Sequence, residues 1–238
     1  MLAVDRTGRH VTLTGAGGRI GRAIASLLPA DWKVRGTDLI ADGRVAALDI
    51  HDLEACRRAF SGVDAVVHLA AVPDPGASWQ LLLPTNVVGA YNVAQAAADC
   101  GVRRLILASS LHSVSGMPDG TQSRSDDQPR PGNLYGATKA WAEALGAWLA
   151  TTTTTSVVAL RIGYFAELRP DMRTVPAREV SAWLSPRDAA ELVRAAVESE
   201  FTGFFVANGI SANRYRSADL EVTMQRLGYK PVDDAWAQ

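Results

Sequence analysis

Short runs of hydrophobic residues alternate along the chain with longer stretches in which hydrophobic residues recur every three or four positions. The short runs are continuous and rich in Val, Ile and Leu, which indicates strands that are covered on both faces. They predict strands over residues 10–16, 33–39, 44–50, 65–71, 104–110, 156–164 and 203–209. The longer stretches predict helices over residues 19–30, 52–62, 84–101, 133–150, 184–199 and 217–229.

Strands and helices therefore alternate along most of the sequence. Repeated strand–helix order predicts an α/β fold, a Rossmann-like doubly wound parallel sheet with helices on both faces. Ser185 and Pro186 are typical of a helix start, as N-cap and first helical residue. The threonine run at residues 151–155 predicts a frayed helix end.

Composition narrows the class of protein. The chain has 238 residues, 47% hydrophobic and 21% charged, with a net charge of −1, so we expect neither a nucleic acid nor a membrane as partner. Cys56 and Cys100 lie in helical stretches without Cys or His at ligand spacing, which predicts reduced thiols and no metal site. The sequence contains no recognisable secretory signal or membrane-length apolar segment, so we expect a cytoplasmic protein.

A glycine-rich loop follows the first predicted strand and opens the first predicted helix. Small residues there let the backbone approach a pyrophosphate at the helix N-terminus. A tight strand-to-helix turn would also explain the glycines. The residues expected to bind a dinucleotide are Gly15, Gly17, Gly18, Arg19, Ile20 and Gly21.

Asp38 lies at the end of the second predicted strand, 23 residues after Gly15. A carboxylate there accepts both hydroxyls of an adenosine ribose and repels a 2′-phosphate, which favours NAD over NADP. A turn role is the alternative, because Asp is common where strands end. Asp49, at the end of the third predicted strand, either meets the adenine or belongs with Asp52 to a helix cap.

Tyr135 and Lys139 stand one helical turn apart at the start of a long helix, and Ser110 ends the strand before it. These three residue types suit hydride-transfer chemistry. Tyr135 exchanges a proton with the substrate hydroxyl, Ser110 hydrogen-bonds the same oxygen, and Lys139 lowers the pKa of the phenol and holds the nicotinamide ribose. Each could be an ordinary residue alone, but together, after a dinucleotide loop, they predict a catalytic site.

The chain resembles the extended short-chain dehydrogenase/reductases, the NAD-dependent epimerase/dehydratase family. The resemblance rests on Gly15-x-x-Gly18-x-x-Gly21, HLAA (68–71), NVVGAYN (86–92), ASS (108–110), YGATK (135–139) and LRIG (160–163). It implies NAD as cofactor, a structural His68 and an Asn86 that braces the site. The implied cofactor contacts also include Ile50, Leu69, Ala70, Ala71, Tyr135, Lys139 and Ile162.

Within that family the chain is most similar to uronate dehydrogenases, through ASSLHSVSG (108–116), RPGNLYGATK (130–139) and SAWLSPRDAAELV (181–193). This implies oxidation of a hydroxyl of a small sugar or sugar acid, with Tyr135 as general base. The implied substrate contacts are Ser110, Leu111, His112, Tyr164 and Arg173. Arg173 would hold a carboxylate through its fork, although a solvated loop arginine fits the sequence equally. Leu111, Tyr164 and the loop at residues 73–78 depart from that enzyme type, so the reaction is better specified than the substrate.

Two other functions stay open. A nucleotide-sugar epimerase or dehydratase would use the same Tyr–Lys pair, and a non-catalytic dinucleotide-sensing protein would use the glycine loop alone. We expect residues 1–164 to form the NAD-binding domain and residues 165–238 a small substrate-binding region interleaved with the core. The resemblance further implies a homodimer or higher homo-oligomer through the two long helices. Trp141 and Trp148 either serve that contact or pack on their own core.

Overall fold

A computed structural model describes residues 8–118 and 120–237 of the chain. The strands are β1 (His10–Thr14), β2 (Lys33–Asp38), β3 (Ala46–Ala47), β4 (Ala65–His68), β5 (Arg104–Ser110), β6 (Ser156–Ile162), β7 (Tyr164–Phe165), β8 (Trp183–Leu184) and β9 (Phe204–Gly209). Seven of them form one parallel sheet in the order β3-β2-β1-β4-β5-β6-β9, and β7 pairs with β8 in a second, small sheet.

Helices cover both faces of the large sheet. They are α1 (Arg19–Ala25), α2 (Leu53–Phe60), α3 (Trp79–Leu82), α4 (Ala90–Asp99), α5 (Leu134–Thr152), α6 (Ala177–Ser181), α7 (Pro186–Glu198) and α8 (Glu221–Leu227). Helices α1, α7 and α8 pack on one face, and α2, α4 and α5 on the other. The predicted doubly wound α/β fold is confirmed. Within the described residues, no helix is both long and apolar enough to cross a membrane.

The central strands explain the continuous hydrophobic runs. Val66, Val67, Leu105, Ile106 and Val158 are completely buried, since each strand is covered on both faces. The chain leaves β1 toward β2 on one side and later returns to β4 on the other. This reversal opens a crevice at the carboxyl edge of the sheet, the usual ligand site of doubly wound folds.

Several elements differ from the sequence prediction. The strand expected over residues 44–50 is reduced to the two residues of β3, at the sheet edge. The helix expected over residues 84–101 begins earlier, at Trp79, and passes through a π-helical segment, Leu83–Gly89, before α4. Pro84 lies in that segment and has no N–H to donate, which loosens the regular ladder. Ser185 caps α7 as predicted, accepting a hydrogen bond from the Asp188 amide.

The region after residue 164 belongs partly to the core. It supplies β9 to the sheet, and buried residues of α7 and α8 share one hydrophobic core with residues of β1. It also supplies α6 and the loop at residues 213–217, which reach the cleft described below. Residues on both sides of 164 are thus interleaved, and the assignment of substrate binding to residues 165–238 stays a prediction.

Candidate active site

The glycine loop adopts a conformation that only small residues allow. Gly15 has a φ of 74°, and a Cβ there would lie 2.5 Å from the Ala70 amide nitrogen. A Cβ on Gly21 would lie 2.4 Å from the Gly15 carbonyl oxygen, so α1 packs directly on the loop. Among the described residues, no side chain caps the first turn of α1, and its amides stay available for a pyrophosphate.

Asp38 lies beside this loop, at the carboxyl end of β2. Its carboxylate accepts hydrogen bonds from the Gly17 amide at 2.9 Å and from the Leu39 amide at 2.7 Å. This fixes a negative charge at the position expected for the adenosine ribose. Asp49 is exposed and contacts His51, while Asp52 caps α2 by accepting a hydrogen bond from the Ala55 amide. The adenine contact expected of Asp49 stays a prediction.

The segment after β4 runs between the glycine loop and the cleft. The Leu69 amide donates to the Thr14 carbonyl, and Leu69 and Ala71 line the cleft. Asn86, in the π-helical segment, accepts from the Val72 amide at 2.8 Å and donates to the Val72 carbonyl at 3.1 Å. The structure therefore gives Asn86 a bracing position, as the family resemblance implies.

Ser110, Tyr135 and Lys139 meet at the carboxyl edge of the sheet. Ser110 ends β5, and the other two lie on the first turns of α5, whose N-cap is Asn133. The Lys139 ammonium nitrogen lies 5.6 Å from the centre of the Tyr135 ring and donates to the Ala108 carbonyl at 2.9 Å. All three side chains line one cleft.

Burial and neighbouring charges set the protonation of this trio. Burial raises the pKa of Tyr135, while a hydrogen bond with Ser110 and the charge of Arg19 act in the opposite direction. Burial lowers the pKa of Lys139 to about 8. The pKa of Tyr135 is raised on balance, so the phenolate that a general base would require needs further stabilisation, and the ammonium of Lys139, 5.6 Å from the ring centre, is a cation placed to supply it.

The cleft has a volume of about 1260 Å³. Leu111, His112, Ile162 and Tyr164 line it, as the sequence predicts for substrate or cofactor contacts. The His112 ring stands edge-on to Tyr135, with ring centres 5.5 Å apart. Burial and, to a lesser degree, the charge of Arg178 lower the pKa of His112, opposed by Glu179. The Nδ1 atom of His112 lies 2.9 Å from the Asn133 side-chain amide nitrogen, and the substrate contact expected of His112 stays a prediction.

The structure does not bring Arg173 to the cleft. Its side chain is 88% exposed, and its guanidinium is already engaged by the Asp171 carboxylate at 2.9 Å and 3.1 Å. Arg178, on the short helix α6, lines the cleft instead and donates to the Ser115 carbonyl at 3.3 Å. The sequence does not indicate which of these two arginines reaches the cleft. A helix of five residues is too short for a hydrophobic pattern to show which of its faces is buried.

These residues fit NAD. The glycine loop leaves room for a close backbone approach, Asp38 lies beside that loop at the position expected for the ribose, and the buried Lys139 lines the cleft. NAD⁺, when bound, supplies the acceptor for a hydride. The roles predicted for the chain's own residues are a proton exchange by the Tyr135 phenol, orientation of the reacting oxygen by Ser110 and stabilisation of the phenolate by Lys139.

Comparisons with known proteins identify the family of the chain. The model of the NAD dependent epimerase/dehydratase family matches residues 11–199. An L-arabinose 1-dehydrogenase (NAD(P)(+)) of Haloferax volcanii is 36% identical, over 95% of this chain and 97% of its own length. An NAD-dependent glucose-6-phosphate dehydrogenase of the same organism is 33% identical, over 94% of each chain.

A solved structure extends the likeness to three dimensions. A mutant uronate dehydrogenase from Agrobacterium tumefaciens, in complex with NAD, superposes with a TM-score of 0.84 at 27% identity. The match covers 95% of this chain and 86% of that one. With the glycine loop, Asp38 and the Ser–Tyr–Lys trio in place, the chain belongs to the NAD-dependent epimerase/dehydratase family.

Proposed function

We propose that this protein is an NAD-dependent dehydrogenase that oxidises a hydroxyl of a small sugar or sugar acid. The observation that carries the proposal is the convergence of Ser110, Tyr135 and Lys139 in one cleft at the carboxyl edge of the sheet. The three relatives described above are all dehydrogenases, acting by their names on arabinose, glucose 6-phosphate and a uronate. We infer that the hydroxyl oxidised is the one on the anomeric carbon.

The chain's own part in this reaction is a proton transfer. As the carbon–oxygen bond of the substrate becomes a carbonyl, the hydroxyl proton passes to the phenolate oxygen of Tyr135. Ser110 hydrogen-bonds the same oxygen and fixes its position, while Lys139 stabilises the phenolate before the transfer. A cyclic sugar oxidised at its anomeric carbon leaves as a lactone.

The charge of the cleft favours a sugar acid over a neutral sugar. Among the described residues, four cationic side chains and one acidic side chain line it, namely Arg19, Lys139, Arg178, Arg216 and Glu179. Arg19 and Lys139 belong to the cofactor side, which leaves Arg178 and Arg216 for the substrate. The choice of Arg178 is supported further by its nearness to His112, whose pKa the charge of Arg178 helps to lower. We propose that Arg178 binds the substrate's acid group.

The experiment is a panel of free aldoses, uronic acids and sugar phosphates, each supplied with NAD⁺, with NADH followed by absorbance. The proposal predicts NADH formation with at least one of them. Conversion of a nucleotide-sugar without net NADH would instead establish an epimerase or dehydratase. NAD binding without turnover of either class would establish a sensing protein.

We also propose that the protein forms a homodimer through α4 and α5, which pack side by side on one face of the sheet. Val88 of the π-helical segment, Tyr91 of α4 and Trp148 of α5 are exposed by 41–46% and are the apolar side chains that a second copy would cover. Trp141 is half-buried against the core, so of the two tryptophans Trp148 is the one available for contact. The cytoplasmic location stays a prediction.

A further inference from the structure

Helix α5 carries a third buried polar side chain, Glu143, on the face that bears Tyr135 and Lys139. Glu143 follows Lys139 by four residues, so the three side chains line up along one side of the helix. Glu143 is buried, with 4% of its surface exposed. A buried carboxylate is costly unless it is paired and hydrogen-bonded, so its partners show what it does.

The carboxylate of Glu143 joins two serines to an arginine. One oxygen accepts hydrogen bonds from the Ser109 hydroxyl at 2.6 Å, the Ser113 hydroxyl at 3.0 Å and Nε of Arg161 at 2.8 Å. The other oxygen accepts from Nη2 of Arg161 at 2.8 Å. Ser113 and Arg161 are as fully buried as Glu143 itself. The contact between the two charged groups is a bidentate pair of fixed geometry.

The two serines enclose the reactive one. Ser109 immediately precedes Ser110, and Ser113 follows it by three residues, in the helical turn Leu111–Val114. The carboxylate therefore holds this segment against α5 from both of its ends. Because α5 also carries the phenol, Glu143 links the position of Ser110 to that of Tyr135.

Arg161 extends the link to the wall of the cleft. Its guanidinium donates to the Arg124 carbonyl at 3.2 Å and the Asp127 carbonyl at 3.0 Å. These carbonyls belong to the loop whose preceding residues, 120–123, line the cleft. The next residue along β6, Ile162, also lines it. One buried ion pair thus joins β5, β6, α5 and the cleft loop at the carboxyl edge.

We propose that Glu143 is a positioning residue, which with Arg161 fixes the Ser110 hydroxyl relative to the Tyr135 phenol and so sets the rate of proton transfer. This inference rests on the proposed dehydrogenase function. A purely structural role is the competing explanation, and stability alone does not distinguish the two. A buried ion pair contributes little net stability, yet removing one partner strands the other and destabilises the fold in either case.

The chain offers a matched control in Arg104. It is buried like Arg161, lies on the neighbouring strand β5, and donates to two backbone carbonyls, those of Ser199 and Phe201. It stands at the opposite end of the sheet from the cleft. Arg104→Met and Arg161→Met therefore both remove a buried guanidinium, but only Arg161→Met removes a partner of Glu143.

The test compares wild type with Glu143→Gln, Arg161→Met and Arg104→Met, each assayed well below its own measured Tm. Glu143→Gln keeps the shape and removes the charge. We expect kcat to fall about 10- to 100-fold in Glu143→Gln and Arg161→Met, since small misplacements of reacting groups have effects of this size. Arg104→Met should lose stability and keep its kcat. Equal kcat losses in all three variants, or none in Glu143→Gln, would overturn the proposal.

A second measurement needs no substrate and so separates this inference from the proposed function. The phenol of Tyr135 is titrated by ultraviolet absorbance, as the difference between each protein and its Tyr135→Phe counterpart. The charged and titratable groups next to it are Lys139, Arg19 and His112, which Ser113→Ala and Arg104→Met both retain. Glu143→Gln is left out of this titration, because the loss of its charge shifts the phenol's pKa by itself. We expect the pKa of Tyr135 to rise in Ser113→Ala, where Ser110 is displaced without any change of charge, and to be unchanged in Arg104→Met.

Ser113→Ala covers the case in which the charged-residue variants do not fold. It removes one anchor of the turn and leaves the ion pair intact. The proposal requires a lower kcat and a raised pKa of Tyr135 in this variant. If both match wild type, Glu143 is structural only, whether or not the wild-type enzyme oxidises the sugars of the panel.

Discussion

Replacing Arg178 with alanine should weaken the enzyme selectively toward acidic sugars. The comparison is Arg173→Ala, which removes the same side chain five residues earlier, outside the cleft. The guanidinium of Arg173 is occupied by Asp171, whereas that of Arg178 donates to one backbone carbonyl and has further N–H groups to offer. The two variants therefore separate a contact in the cleft from a charge on the surface.

The magnitude follows from the contact. A hydrogen bond to a charged group contributes about 1.5–3 kcal/mol when well sheltered. Arg178 is exposed, so solvent screening reduces this to about 1–2 kcal/mol, which corresponds to roughly 5- to 30-fold in kcat/KM. Arg178→Lys should recover part of the loss, because it keeps the charge and loses the fork.

The assay measures kcat/KM for a uronic acid and for the matching neutral aldose, with saturating NAD⁺. We expect Arg178→Ala to affect the acid alone and Arg173→Ala to affect neither. The pKa of His112, followed by NMR, should also rise in Arg178→Ala, because one cause of its lowering is removed. Equal losses on the acid and the neutral sugar, or a selective loss in Arg173→Ala, would refute the assignment.

Three further predictions concern the cofactor, the core and the dimer. Asp38→Ala should narrow the preference for NAD⁺ over NADP⁺ at least tenfold, since a carboxylate roughly 6 Å from a phosphate charge opposes it by about 3 kcal/mol before screening; higher kcat/KM with NADP⁺ in wild type would contradict this. His68 is buried against Thr14, and its pKa is lowered to about 3, mainly by burial and then by Lys139. Below pH 6.5 the His68 side chain therefore binds a proton in the unfolded chain but not in the folded protein. Between pH 7 and pH 5 the free energy of unfolding, measured with urea, should fall by about 2 kcal/mol more in wild type than in His68→Asn. A parallel pH dependence in both proteins would exclude His68 as the cause. Trp148→Glu should convert a dimer to a monomer in light scattering, and a monomeric wild type would end the dimer proposal.

The sequence was sufficient for features that depend on local pattern. Continuous hydrophobic runs identified the central strands, because burial on both faces leaves no polar positions. Spacing alone placed the glycine loop and Asp38 next to each other, because the strand–loop–helix unit fixes where the ends of β1 and β2 meet. The prediction was less accurate at the edge of the sheet. There β3 pairs with one strand only and contains two residues, so its sequence carries little hydrophobic pattern.

Features that depend on packing across the fold could not be predicted. Arg173 and Arg178 look alike in sequence, and the loop path alone decides which reaches the cleft. The sequence pattern does not reveal that Glu143 and Arg161 meet, yet they form the buried pair that joins four segments. Their partners are 18 to 37 residues away, beyond the reach of any periodicity.

The central claim is that Tyr135, with Ser110 and Lys139, drives oxidation of a sugar in this cleft. The most direct measurement is the rate of NADH formation by wild type and Tyr135→Phe with the best substrate of the panel. The substitution removes one oxygen, so folding and NAD binding should be retained while kcat falls about 10²- to 10⁴-fold. Turnover within a few-fold of wild type by a folded, NAD-binding Tyr135→Phe protein would contradict the account.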